Sequence, residues 1–135
     1  MTTFYQAIKQ NMINFFKRLP VYIKISHNKI EITNLTSGET VSRASQKQFS
    51  SDRMLVAEFN VAENLVREIL AEMGIAKKNL KILIQQIDQF EDELFETEKR
   101  ILRDLAEQAG GTEIYLVNRK KSMTKEEVID FLAGI

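Results

Sequence analysis

The most constraining stretch of the chain is Leu80–Ile87, which reads Leu-Lys-Ile-Leu-Ile-Gln-Gln-Ile. A nearly continuous aliphatic run of this length is expected of a strand buried on both faces of its sheet. Such a sheet has to be covered above and below, and the segments around it carry helical periodicity. The chain is therefore expected to be an α/β protein, with a mixed sheet and helices on both faces.

Near the N-terminus, Phe4, Ile8, Met12, Phe15, Phe16 and Leu19 recur at spacings of three and four. This predicts a helix over 4–19 that stops at Pro20. Lys9, Lys17 and Arg18 lie among its polar positions, as in an amphipathic helix resting on an anionic membrane surface. The same stripe would also serve to pack on the domain's own sheet or on a partner helix. After Pro20 the period changes to strict alternation. Val21, Ile23 and Ile25 predict a strand, His27-Asn28 a two-residue turn, and Ile30 and Ile32 the returning strand. Thr36–Glu39 reads as a second turn and Thr40–Ala44 as a third strand, with a polar loop over 45–53.

Met54–Phe59 is a short apolar run and a candidate extra strand. Asn60 followed by Glu63 resembles a capping box, opening a helix that runs to Met73 and ends at Gly74. A second long helix is expected over 92–109, stopped by Gly110-Gly111, and then a strand over 114–117. Thr124 and Glu127 form a capping box for a last helix through Val128, Phe131 and Leu132. Two units result: an amphipathic basic helix over 1–20 and an α/β domain over 21–135.

The 135 residues balance 19 Lys and Arg against 19 Asp and Glu, but the first 30 hold five bases and no acid. Overall neutrality argues against a nucleic-acid coat, which needs a basic excess on its binding face. With no cysteine and one histidine, neither a disulfide framework nor a zinc centre is expected. No run approaches the roughly 20 apolar residues of a membrane span, and the first residues lack the features of a signal peptide. A cytoplasmic location is expected, with the basic helix offering attachment at the inner membrane.

Two segments carry a family resemblance. Met54-Leu-Val-Ala-Glu-Phe-Asn-Val-Ala-Glu-Asn-Leu65 looks like the segment of the bacterial actins of the MreB family in which a short strand leads into a helix. Glu96-Thr-Glu-Lys-Arg-Ile-Leu-Arg-Asp-Leu-Ala-Glu-Gln-Ala-Gly-Gly-Thr-Glu-Ile-Tyr-Leu-Val117 resembles that family's helix, glycine stop and strand. The resemblance covers most of 21–118 and implies a ribonuclease-H-like fold, the first subdomain of an actin-like ATPase.

The departures bear on function. In the family the first hairpin carries an Asp and a Gly-Thr pair that hold the magnesium-bound phosphates. By register these positions fall on Lys24, Ser26 and His27, so the metal site is expected to be lost. Glu96 stands where the family places its water-positioning glutamate; read on its own, it is a solvated acid that complements a helix dipole. One domain is expected where an actin-like enzyme closes two around ATP.

Other chemistries lack their residues. A ribonuclease-H-like nuclease needs carboxylates on the first strand, and Val21–Ser26 has none. There is no Gly-x-Ser-x-Gly elbow, and the adjacent Gly110 and Gly111 follow a helix where a phosphate loop would precede one. Arg119-Lys120-Lys121 reads as a solvated turn. The expectation is a non-enzymatic, cofactor-free interaction or scaffold protein related to cell shape or cytoskeletal filaments, with a protein partner (itself or an actin-like protein). The alternatives are one half of a split nucleotide-binding ATPase and a homodimer joined through Phe4, Phe15 and Phe16.

Overall fold

The computed structural model describes residues 18–76, 78–87, 96–117, 119 and 121–134. Phe4, Ile8, Met12, Phe15, Phe16 and Lys17, and with them the expected helix, lie outside the described residues. Leu19 does not end a helix: strand β1 runs from Leu19 to Ser26, and Leu19 pairs with Leu80. A following proline drives its predecessor out of the helical region. Pro20, with no N–H to donate, is tolerated near the first position of a strand.

β1 turns back into β2 (Lys29–Asn34), which pairs antiparallel with β3 (Thr40–Ala44). Helix α1 (Phe59–Glu72) then leads to β4 (Leu80–Gln86), which lies parallel to β1 on its other side. Helix α2 (Glu96–Gln108) joins β4 to a parallel β5 (Gly111–Val117), and α3 (Lys125–Ala133) follows. The spatial order is β3-β2-β1-β4-β5, the mixed sheet that the sequence implied.

Alternation sorts the side chains onto two faces. Val21, Ile23, Ile25, Ile30, Ile32, Leu80, Ile82 and Ile84 form the larger core with Leu65, Val66 and Ile69 of α1 and Leu102 and Leu105 of α2. On the opposite face, Tyr22, Leu83 and Val117 meet Val128, Ile129 and Leu132 of α3. β4 is buried at every position.

Three local expectations change. Met54–Phe59 forms no strand; the N–H groups of Ala57 and Glu58 both donate to the Phe49 carbonyl. Asn60 and Glu63 form no capping box, because Glu58 is the N-cap, without a side-chain cap, and Asn60 already lies inside the helix. Gly111 belongs to β5 rather than to the helix stop. The end of α1 is as expected: Gly74 has a φ of 75°, its N–H reaches the Ala71 carbonyl, and that of Ile75 reaches Leu70, the pair of bonds of a Schellman motif.

The capping box of α3 is present. Thr124 Oγ1 accepts from the Glu127 N–H at 3.1 Å, and Glu127 Oε1 accepts from the Thr124 N–H at 3.0 Å. Thr124→Ala is expected to cost about 1 kcal/mol, measured by urea unfolding. The Thr124 backbone N–H, and after it Arg119, holds the Glu127 carboxyl below its ordinary value. A depressed carboxyl contributes stability above its unfolded pKa and loses it as pH falls through the folded one, so this half of the box weakens in acid.

Candidate functional site

The resemblance directs attention to the carboxyl ends of β1 and β4 and to the β1–β2 turn. Lys24 stands directly opposite Glu31 in the antiparallel register and forms an ion pair with it. Its ammonium lies 5.6 Å from the centre of the Tyr22 ring. Ser26 pairs with Lys29 across the turn, and His27 is exposed at its tip.

Asn28 organises the turn. Its φ of 52° lies in the left-handed region, which asparagine tolerates better than most residues. Its Oδ1 accepts from the backbone N–H groups of both Phe49 and Ser50 at 2.9 Å. Its own N–H donates to Ser50 Oγ at 2.9 Å, whose hydroxyl donates to the Leu55 carbonyl at 2.5 Å. The Asn28 carbonyl accepts from the Ser45 N–H. The turn is thus bound to the 45–55 loop through its backbone and its side chain together.

A second buried polar group sits at the end of β4. The Tyr22 hydroxyl donates to Gln85 Oε1 and accepts from the Met123 N–H at 3.0 Å. Gln85 Nε2 donates to the carbonyls of Arg119 at 2.8 Å and Lys121 at 2.7 Å. Burial is the main cause raising the Tyr22 phenol above its ordinary value. Gln85 is wholly buried, and its bonds hold the 119–123 segment against the sheet. Arg119, read as part of a basic turn, pairs with Glu127 at 3.1 Å, and Lys120 lies outside the described residues.

On the other face of β4, Gln86 Nε2 donates to Glu98 at 2.9 Å. The crevice there, between Met54, Leu55, Val56, Glu98 and Ile101, has about 0 Å³ of room for a water-sized group among the described residues. Glu96 sits in the first turn of α2, its side chain 91% exposed and 3.2 Å from Lys99. Arg18, the described member of the N-terminal stripe's set, is tied to Glu113 at 2.5 Å. Among the described residues there is no group of three or more His, Asp or Glu that could hold a metal, and no helix is long and apolar enough to cross a membrane.

The structure therefore keeps Lys24, Ser26 and His27 on one hairpin and leaves Glu96 out in solvent. The sequence reading missed Asn28 and Gln85 as organisers. The available signals were an asparagine in a two-residue turn and an amide inside a strand buried on both faces, where each polar group needs a partner.

No family model matches the chain. Over 100 residues it is 29% identical to "Uncharacterized protein YjaA" of Escherichia coli (strain K12), covering 68% of this chain and 76% of that protein. Among solved structures, MreB5 of Spiroplasma citri bound to ADP resembles it with a TM-score of 0.50 and 13% sequence identity, over 75% of this chain. The match spans only 38% of the MreB5 chain. What the likeness supports is the fold: a five-stranded mixed α/β sheet of the actin-like kind.

Proposed function

We propose that this chain is an actin-like scaffold that acts by binding a protein and not by turning over nucleotide, in a role connected with cell shape or a cytoskeletal filament. The observation that carries the reading is the β1–β2 hairpin. MreB5 binds ADP, and the family resemblance assigns the hairpin to magnesium and phosphate. A magnesium-phosphate site wants a carboxylate to orient metal-bound water and backbone N–H groups free to meet phosphate. In this chain a lysine stands at the carboxylate position, engaged with Glu31. The turn is closed by Asn28, whose side-chain oxygen is already taken by two backbone N–H groups. Calorimetric titration with ATP and magnesium is expected to give no binding at micromolar concentrations; a micromolar dissociation constant would refute the reading.

The basic apolar stripe of Phe4, Ile8, Met12, Phe15 and Phe16, with Lys17, supports a second arm, attachment to an anionic membrane surface. Flotation of the full chain with anionic vesicles is expected, and Phe15→Glu should lose most of it. Equal flotation of the variant would remove the membrane from the account.

A further inference from the structure

We propose that the outer edge of β3, which no strand among the described residues covers, pairs antiparallel with β3 of a second copy of this chain, forming a two-fold dimer with one continuous sheet. The N–H of Asn34 donates to the Glu39 carbonyl, and that of Ser45 donates to the Asn28 carbonyl. In an antiparallel pair a residue's N–H and C=O point the same way, so residues 39, 41, 43 and 45 face β2. The backbone groups of Thr40, Ser42 and Ala44 consequently face away from it.

Edge strands are commonly guarded by a charge. Here the charged residue of β3, Arg43, is drawn back over the helix face by its ion pair with Glu72 of α1. Beside the edge, an open groove of about 680 Å³ runs between the end of β3 and α1. Its walls include Arg43 and Lys47 on the strand side and Asn60, Val61, Leu65 and the acid Glu68 on the helix side. With Arg43 engaged by Glu72, the strand side offers Lys47 to an incoming acid.

With Ser42 opposite Ser42, the backbone groups that face outward on the two copies bond to one another. Thr40 then lies opposite Ala44. Val41 and Arg43 share the α1 face of the sheet, since Val41 packs against the larger core and Arg43 reaches α1. In this register the second copy's Val41 stands opposite Arg43, beside Val61 and Leu65. The second copy's Glu39 stands opposite Ser45, on the side of Lys47. Apolar meets apolar, and an acid falls beside a base. A two-fold interface has to be complementary to itself in this way, and strand addition supplies main-chain bonds while alternate side chains fill pockets.

This gives the interaction role a surface and stands apart from the nucleotide question, because sedimentation tests one and nucleotide titration the other. Sedimentation velocity of the full chain at about 100 µM should show a dimer. Ser42→Pro removes an N–H that faces away from β2, so the fold should survive, as circular dichroism will show, while the dimer is lost. Glu39→Lys, at an exposed turn, should weaken the dimer about tenfold, since each cross-strand charge pair is lost twice. A monomeric wild type would overturn the proposal, and so would a Ser42→Pro variant that stays dimeric. Should Ser42→Pro fail to fold, Glu39→Lys decides: a dimer of unchanged affinity overturns it.

Discussion

Asn28→Ala is expected to destabilise the protein by about 3 kcal/mol, one of the two largest single-site effects anticipated. Two costs combine. Alanine is disfavoured at a φ of 52° by about 1 kcal/mol. The N–H groups of Phe49 and Ser50 also lose their acceptor, and both residues are buried, where an unsatisfied donor costs about 1–3 kcal/mol. Two further variants separate the terms. Asn28→Gly accepts the backbone angle but not the donors, and should recover about 1 kcal/mol. Asn28→Asp keeps an acceptor and should be the mildest of the three. Urea midpoints at constant slope measure all of them; a loss below about 1 kcal/mol for the alanine variant would mean that the turn is not held by this side chain.

Gly111→Val is the second large effect, at about 3 kcal/mol or more. A Cβ at Gly111 would lie 2.9 Å from the Ala106 carbonyl oxygen, from Ile114 Cγ1 and from Ile82 Cδ1. One of these is helix backbone and cannot rotate away, so α2 and β5 would have to separate. Gly74 supplies the contrast. Its φ is 75°, but an added Cβ would meet nothing within 4 Å, so Gly74→Ala should cost only about 1 kcal/mol, from backbone strain. Thermal unfolding of the pair distinguishes close approach from conformational strain.

These sites show why parts of the fold were legible in sequence and others were not. The alternation of Val21, Ile23 and Ile25, the aliphatic run of β4 and the Thr124–Glu127 box all act through neighbours in the chain or through a whole face, so spacing reveals them. The failures involve contacts that lie beyond the reach of a local spacing pattern. The start of α1 is set by the Phe49 carbonyl receiving two N–H groups from Ala57 and Glu58, which no local pattern at Asn60 records. The extended backbone at Leu19 was readable from Pro20, but the apolar spacing over 4–19 concealed it.

The candidate site divides in the same way. The register of the resemblance put Lys24, Ser26 and His27 on the first hairpin, and they are found there. It drew attention to His27, an exposed residue, while the neighbour Asn28 makes the bonds. Gln85 was hidden within a hydrophobic run, and its partners Tyr22, Arg119 and Lys121 are far from it in sequence. Only the packed sheet brings them together.

The central proposal is that the hairpin of this actin-like sheet serves as a structural joint and does not receive a magnesium-bound phosphate. Backbone amide resonances of residues 24–31 and of Phe49 and Ser50, followed while ATP and magnesium are added to the full chain, test it most directly. The account predicts that they stay in place up to about millimolar nucleotide, a concentration at which even a weak site would begin to fill. A saturable shift centred on Lys24, Ser26 and His27 would contradict it.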